Sequence, residues 1–317
     1  MPYQVGLDLG SAGTAVATGR GVTTTPRHAA APAAEIAHVL DDLARRHGEP
    51  PSRVALAHSL TWPHEHLEQL RADLIAEGRA DVLFVPAPHA AAIAFDEDAR
   101  MPEHGTVAVF DFGATGCEIT LLRKQGVFLV TGRPERVEVG GHHLDDLVAE
   151  HVIAKVGTHS RELVKSCARA KELLGSYPEV RIPYVAEGGE VREVRLSRLE
   201  FEAVVRPAVE PAVEALHRVV AGAGLCLPDV VLLVGGSARI PLVAKEPTLE
   251  VPLPRREDDE HRRHLPTTPF IAAGLLVLVL GGGWAAHEAM NQRPVVPENA
   301  SVQLEPAGTA ELPRVTG

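Results

Sequence analysis

The sequence is poor in cysteine and in aromatic residues, which make up 4% of the chain. Three cysteines occur in 317 residues, at positions 117, 167 and 226, and none is spaced from another as CxxC or CxxxC. Isolated cysteines argue against a disulfide framework or a zinc site and suit a reducing compartment. We therefore expect the bulk of the chain to be cytoplasmic.

Positive charge is also scarce. Lysine and arginine total 31 against 42 acidic residues, a formal net charge of −11. A chain with no basic excess lacks the electrostatic footprint of a nucleic-acid-binding protein, so we exclude that class as the main function. The first ten residues have neither a basic n-region nor a long apolar h-region, so we expect no signal peptide. A chain of this length can form one large domain or two lobes.

Two stretches of the chain share one pattern. Residues 3–17 (YQVGLDLGSAGTAVA) and 106–122 (TVAVFDFGATGCEITLL) each read as a strand, an Asp-apolar-Gly turn with small residues, and a second strand. Repetition at this long period predicts two related lobes, which we place at 1–105 and 106–244. Helices and strands alternate after each hairpin, which predicts an α/β fold. The predicted helices are 34–48, 64–78, 142–156, 160–174 and 198–222, and the further strands are 53–60, 81–86, 126–132, 179–185, 190–196 and 229–236.

The two hairpins each carry a carboxylate, Asp8 and Asp111. Backbone N–H groups of glycine turns can approach phosphates, and paired carboxylates can hold Mg²⁺ through its water shell. A third motif, VVLLVGGSARIPLV at 230–243, runs from a strand into two glycines and a helix start. Glycines there let a ribose or base lie against the backbone, and an arginine can stack on a base.

Taken in order, these motifs resemble the nucleotide-binding domain of the DnaK-type heat-shock chaperones, in the actin-like ATPase superfamily. VGLDLGSAGTAVA resembles the first phosphate loop, VFDFGATGCEITLL the second, and LLVGGSARIPLV the adenosine motif. FVPAPHAAAIAF (84–95), VGGHHLDDLVAEHV (139–152) and SCARAKELL (166–174) also align in order. The resemblance covers most of residues 3–243 and implies a two-lobed actin-like ATPase fold, a duplicated ribonuclease-H-like fold that uses ATP or ADP with Mg²⁺.

The resemblance also implies roles for individual residues. Asp8 and Asp111 would be the catalytic carboxylates and would hold Mg²⁺ through water. The residues that would bind the phosphates, sugar and adenosine are Gly10, Ser11, Gly13, Gly113, Thr115, Gly140, Gly141, Lys171, Gly235, Gly236, Ser237 and Arg239.

Three departures from the family pattern affect catalysis. Ala87 stands where the family has a glutamate, and Gly116 stands where it has a threonine. The subdomain that supplies a lysine should fall between Arg20 and Pro32, where the chain is too short for it. Phosphoryl transfer needs a positioned water and charge neutralisation, so these losses predict slow hydrolysis or none. No peptide-binding domain follows residue 243, so we do not expect the usual capture of client proteins.

The C-terminal part of the sequence changes character. Residues 245–269 are rich in proline and in charges of both signs and are interpreted as a linker. The apolar segment 270–286 has no ionisable residue and predicts a single transmembrane helix that contacts the lipid bilayer, with a buried core helix as the alternative. Arginines precede it, which by the positive-inside rule keeps the N-terminal domain in the cytoplasm. The tail, 287–317, is then expected to be disordered on the outer side of the plasma membrane.

These observations support two functional hypotheses. The first is a membrane-anchored, DnaK-like protein that binds ATP or ADP. The second is a pseudo-ATPase scaffold that recruits a protein partner at the membrane, like the actin-like adaptors of cell division or actinobacterial type VII secretion. A sugar or acetate kinase on the same fold is a weaker alternative, because no acceptor-substrate motif is visible.

Other candidate sites are less well supported. His64, Glu65 and His66, and separately His142 and His143 with Asp145 and Asp146, contain metal-ligand residue types without metal-site spacing. Cys117 lies in a predicted strand without a basic partner, which favours a place in the core over a nucleophile.

Overall fold

The structure is a computed structural model that describes residues 3–18, 21–26, 28–99, 101–245, 276–280 and 300–301. The chain divides into two compact units. The first contains Met1–His142 and Ala208–Pro294, and the second contains His143–Pro207 and Val295–Gly317. Both carboxylate hairpins lie in the first unit, and the predicted lobe boundary at 105/106 stays a prediction.

Strands and helices follow one another along the chain as the α/β pattern predicts. The strands are β1 (Gln4–Leu9), β2 (Thr14–Thr18), β3 (Gly21–Thr25), β4 (Arg53–His58), β5 (Val82–Pro86), β6 (Thr106–Phe112), β7 (Cys117–Gln125), β8 (Val127–Val130), β9 (Glu135–Val137), β10 (Glu179–Val185), β11 (Val191–Ser197), β12 (Val230–Val234), β13 (Leu276–Leu280) and β14 (Ala300–Ser301). The helices are α1 (Pro32–His47), α2 (His64–Ala76), α3 (Ala87–Ala99), α4 (Gly141–Val156), α5 (Arg161–Leu174), α6 (Arg198–Gly222) and α7 (Pro241–Lys245), with a 3₁₀ helix at Gly236–Arg239.

The first unit contains two sheets of the same design. One has the order β3-β2-β1-β4-β5, and the other has the order β8-β7-β6-β12-β13, with β9 also paired to β7. In each sheet three strands form an antiparallel meander, and two further strands run parallel to the first strand of the hairpin. This shared topology confirms the predicted internal repeat and fits the actin-like ATPase fold.

The core of each sheet follows from the apolar positions of its strands. Val5 and Leu7 of β1 point to the same face, where Ile36 and Leu40 of α1 are buried against them. Strand β6 is buried at every position except Asp111, because it is paired on both edges within its sheet. A continuous apolar run is expected for a central strand of this kind.

The second unit contains most of α4, helix α5, the hairpin of β10 and β11, the start of α6 and the short strand β14. Helix α5 buries residues at three- or four-residue spacing, namely Leu163, Cys167, Ala170 and Leu174. Ser160 begins the helix as its N-cap, because its side chain accepts a hydrogen bond from the Leu163 N–H. Strands β10 and β11, predicted from the sequence at 179–185 and 190–196, pair antiparallel, and a turn at 186–190 joins them.

The predicted helices and strands between residues 34 and 236 are confirmed, with ends shifted by a few residues. The C-terminal predictions fare differently. Within the predicted transmembrane segment 270–286, the described residues Leu276–Leu280 form a strand parallel to β12 rather than a helix. No helix among the described residues is long and apolar enough to cross a bilayer. The rest of that segment, the linker at 246–269 and most of the tail lie outside the described residues, although Ala300–Ser301 pair with β10.

A buried carboxylate, Glu35, closes the connection between β3 and α1, where the family pattern has its lysine-bearing subdomain. Glu35 is fully buried in the first turn of α1. Its carboxylate accepts hydrogen bonds from the N–H groups of His28 (2.7 Å) and Ala29 (2.8 Å) and from the Thr14 hydroxyl (2.9 Å). Burial opposes ionisation, but these donors prevail and lower the pKa of Glu35.

We predict that Glu35→Gln lowers the free energy of unfolding by about 1–3 kcal/mol at pH 7, because an amide cannot accept all three hydrogen bonds. Since the folded pKa is lowered, the contribution of Glu35 is present above its unfolded pKa and is lost as the pH falls through the folded one. Urea unfolding at pH 7 and at pH 3.5 measures both effects. Glu97→Gln, the same change at an exposed position of α3, is the control. Equal stability of the two variants at pH 7 would contradict the prediction.

Candidate functional site

The tips of the two carboxylate hairpins touch each other. Asp8 is the penultimate residue of β1, and Asp111 holds the same position in β6. The hydroxyls of Ser11 and Thr115, in the turns that follow, share a hydrogen bond of 2.9 Å. The structure therefore brings together the two halves of the repeat at the residues predicted to bind phosphate.

The two carboxylates influence each other electrostatically. Burial raises the pKa of Asp111 to about 7, together with smaller contributions from the negative charges of Asp8 and Glu118 and an opposing one from Arg136. Asp8 is exposed to solvent. The surrounding protein nevertheless desolvates its carboxyl group in part, which raises its pKa. Two partly desolvated carboxylates of like charge form a site that a cation would stabilise.

The second hairpin is buttressed by the start of α4. The N–H groups of Gly141 and His142 donate to the carbonyl oxygens of Gly113 (2.9 Å) and Ala114 (2.8 Å). Gly140 lies so close to the turn that a Cβ there would be 2.5 Å from the Ala114 oxygen. This contact requires glycine at position 140 and fixes the turn that carries Thr115.

The GGSAR motif meets the same hairpin from β12. Gly235 has a φ of +88°, and a Cβ there would lie 2.4 Å from the Phe112 oxygen and 2.8 Å from a carboxylate oxygen of Asp111. Ser237 donates a hydrogen bond of 3.3 Å to the Gly113 carbonyl. Beside them Gly236 is open, since a Cβ there would meet no atom within 4 Å. The backbone at Gly236 is thus accessible to a flat ligand next to Asp111.

The remaining predicted site residues lie in several places. Gly10 and Gly13 are in the turn after β1, and Gly13 approaches the Thr25 carbonyl too closely to carry a side chain. Arg239 is exposed at the end of the 3₁₀ helix. Lys171 belongs to the second unit, where its ammonium pairs with Asp145 at 2.7 Å.

These residues fit a nucleotide with Mg²⁺. The carboxylate oxygens of Asp8 and Asp111 can accept hydrogen bonds from the water shell of a divalent cation. The charge of the cation would offset the repulsion between the two carboxylates. The glycine-lined backbone at 235–236 leaves room that side chains would otherwise fill. When bound, a magnesium nucleotide supplies the phosphoryl group and the counter-charge, and the chain supplies the carboxylates and backbone amides that position it.

Sequence reasoning missed a hydrogen-bonded network around Glu118, opposite Asp111 in the β6–β7 pairing. Glu118 accepts hydrogen bonds from Ser59 (2.6 and 2.8 Å) and Thr61 (3.1 Å), which follow β4 in the first sheet. It also pairs with Arg136 of β9 at 2.8 Å. The position of Glu118 within the repeated hairpin at 106–122 marked it as a candidate. Its partners could not be predicted, because they lie far from it in the sequence.

The departures from the family pattern have visible structural settings. Ala87 is the first residue of α3 and brings no carboxylate. Gly116 is buried at the end of the second turn. The chain passes from β3 to α1 within residues 26–31, closed by Glu35, so no lysine-bearing subdomain is inserted there.

The weaker candidate sites gain no geometric support. His64, Glu65 and His66 are exposed at the start of α2. Across the described part of the chain, no group of three or more histidine, cysteine or acidic side chains is arranged to hold a metal ion. Cys117 is buried in β7, and burial together with Asp111 and Glu118 raises the pKa of its thiol.

Two sheets of one topology, with their carboxylate hairpins in contact, define the class of actin-like ATPase folds. Comparison with protein families then identifies the group within that class. The family model described as Hsp70 protein matches residues 82–248, slightly more than half of the chain. The chain belongs to the Hsp70 family.

Similar curated proteins are chaperone protein HscA homologs. The chain is 32% identical to that of Acidithiobacillus ferrooxidans over 165 residues, which are 49% of this chain and 26% of the relative. It is 31% identical to that of Shewanella denitrificans over 168 residues, 50% and 27% of the two chains, and 34% identical to that of Pseudomonas putida over 166 residues, 49% and 26%. The chain thus spans about a quarter of the length of the curated relatives it matches.

The raised pKa of Asp111 predicts a specific pH dependence. In the metal-free protein the folded state retains the Asp111 proton up to about pH 7, whereas an unfolded chain releases it near pH 4. Stability should therefore fall as the pH rises between these values. Asp111→Asn should weaken this fall and be more stable than wild type at pH 8 by about 2–4 kcal/mol, with little difference at pH 4.

Urea unfolding in the presence of a chelator across pH 4–8 measures this dependence. Asp81→Asn, at an exposed position before β5, is the matched control and should follow wild type. An unchanged pH slope in Asp111→Asn would show that its carboxylate is not held in this environment.

Proposed function

We propose that this chain is the nucleotide-binding region of an Hsp70-family chaperone and that it binds ATP or ADP with Mg²⁺ at the paired hairpins. The observation that carries the proposal is the contact between the hairpin tips, where Ser11 meets Thr115 and two carboxylates of like charge face one site. The family match and the similarity to chaperone protein HscA homologs support the same function.

Each predicted residue would then have a defined task. Asp8 and Asp111 hold the water shell of the cation, and the turns that follow them present backbone N–H groups to the phosphates. Gly235 and Gly236 give the nucleoside access to the backbone. Ser237 holds the adenosine motif against the second hairpin through the Gly113 carbonyl.

We further propose that hydrolysis is slow or absent. Neither Ala87 nor Gly116 can position a water, and the 26–31 connection leaves no lysine from an inserted subdomain. Binding requires complementary charge and shape, whereas phosphoryl transfer also requires an oriented nucleophile and stabilisation of developing charge. The groups needed for phosphoryl transfer are therefore lost, whereas those needed for binding are retained.

Calorimetric titration with Mg·ATP and Mg·ADP tests the binding. Wild type should bind both saturably, and Asp8→Asn should weaken Mg·ATP at least tenfold, about the worth of a charge-assisted interaction. Asp81→Asn should bind as wild type does. Phosphate release in a single turnover should be slow or undetectable. Absence of saturable binding by wild type would overturn the proposal.

The second candidate function is the pseudo-ATPase scaffold that recruits a protein partner. The loss of all three catalytic groups favours it. Phosphate release that is measurable in wild type and abolished by Asp8→Asn would contradict this candidate.

Membrane attachment through residues 270–286, with the N-terminal domain in the cytoplasm, is a separate part of the proposal. The uncharged apolar sequence and the preceding arginines support it, whereas the pairing of Leu276–Leu280 with β12 opposes it. If the segment inserts in a bilayer, the full chain should resist carbonate extraction. The double variant Val277→Arg/Val279→Arg should then be released, since arginines at the centre of a span cost about 3 kcal/mol each. Extraction of the wild-type chain would contradict attachment.

A further inference from the structure

Arg136 lies directly on the second hairpin turn. It is the middle residue of β9 and is opposite Glu118 in the pairing of β9 with β7. Its guanidinium covers Gly116, where a Cβ would lie 2.6 Å from Nη2 and 2.8 Å from Cζ. A side chain at position 116 would displace the guanidinium, so Arg136 can occupy this position only because residue 116 is glycine.

Two carboxylates hold the guanidinium unequally. Nη1 donates to Glu118 at 2.8 Å, whereas Glu138 accepts from Nε at 2.8 Å and from Nη2 at 3.5 Å. Glu118 is well enclosed, with 19% of its side chain exposed, and hydroxyls from the first sheet fix it in place. Glu138 is 77% exposed, and an ion pair with so exposed a partner contributes little. Arg136 is therefore anchored through Glu118 and can exchange Glu138 for another anion.

The charge of Arg136 acts on the centre of the candidate site. Glu118, which pairs with Arg136 between β9 and β7, is opposite Asp111 in the pairing of β7 with β6. A nucleotide would add several negative charges to a region that already holds these carboxylates. A guanidinium can bind two oxygen anions in one plane through its separate N–H groups, so a phosphate can bind it without displacing Glu118.

We propose that Arg136 is a phosphate-binding residue of this nucleotide site and that Gly116 is the residue that admits it. The inference rests on the proposed nucleotide binding and goes beyond it. The absence of a threonine side chain at position 116 then has a second consequence, since it opens the turn to a positive charge that comes from β9. Arg136 replaces, for binding, part of the positive charge that the absent lysine would supply. It does not replace the groups that would position a water molecule.

Calorimetry with the full chain, in the presence of Mg²⁺, separates phosphate binding from nucleoside binding. Arg136→Gln should weaken ATP roughly tenfold or more and leave adenosine within about twofold of wild type, because adenosine has no phosphate. Arg136→Lys, which keeps the charge but loses the planar fork, should give an intermediate ATP affinity. Thermal unfolding of each variant without ligand reports whether the fold is retained.

Glu138→Gln is the matched control, because it removes the ion pair between Arg136 and Glu138 but leaves the guanidinium of Arg136 in place. If Arg136 binds phosphate, this variant should bind ATP as tightly as wild type or more tightly. If Arg136 is only a structural link, both glutamine variants should weaken ATP and adenosine alike, which would overturn the inference. Failure of wild type to bind either ligand would overturn the proposed function and this inference together, whereas normal ATP binding by Arg136→Gln would overturn the inference alone.

Gly116→Ala tests the spatial part of the inference. The alanine should weaken ATP to about the level of Arg136→Gln, and in the Arg136→Gln background it should add little, since the two changes remove one interaction. Gly222→Ala, at a glycine whose Cβ would meet nothing within 4 Å, should bind as wild type does. Equal effects of Gly116→Ala in both backgrounds would contradict the inference.

Discussion

The contact between the hairpins that carry Asp8 and Asp111 is the constraint on which the site in the first unit depends. Asp8 and Asp111 are the penultimate residues of corresponding strands in two sheets that share one topology. A hydrogen bond between the hydroxyls of Ser11 and Thr115 joins the turns that follow. Burial raises the pKa of Asp111, and the negative charge of Asp8 raises it as well, so ionising both carboxylates is unfavourable. The surrounding glycine contacts and the amides of α4 hold the turns in place, so the repulsion is available to favour a bound cation.

We propose that the departures from the family pattern affect hydrolysis more than binding. The carboxylates, the glycine turns and the GGSAR motif all lie in the first unit, and these are the groups proposed to bind the nucleotide. The groups that would orient water are replaced by Ala87, Gly116 and a short connection closed by Glu35. Arg136, lying over Gly116, gives the altered turn a positive charge of its own. These features are the basis of our proposal that the site binds a nucleotide and hydrolyses it slowly or not at all.

Much of the fold could be predicted from sequence because its signals are local. Alternating apolar residues around glycine turns gave both hairpins, and the order of motifs gave the family. The strand Leu276–Leu280 was not predicted, because a short apolar run has no periodicity that separates a buried strand from a helix. Glu35 resembles an ordinary acidic residue in a helix first turn, and its burial depends on a loop that returns to it. Arg136 lies on a three-residue strand, and only the register of β9 on β7 places it beside Glu118.

The central claim is that one cation–nucleotide complex contacts both hairpins at once. Amide NMR spectra of the labelled chain with Mn·ATP in place of Mg·ATP test this directly, since paramagnetic broadening falls off steeply with distance from the metal. We predict broadening at residues 8–13 and 111–116 together, weakening towards the opposite ends of the two strands, at Gln4 and Thr106. Broadening confined to one hairpin, or to neither, would contradict it.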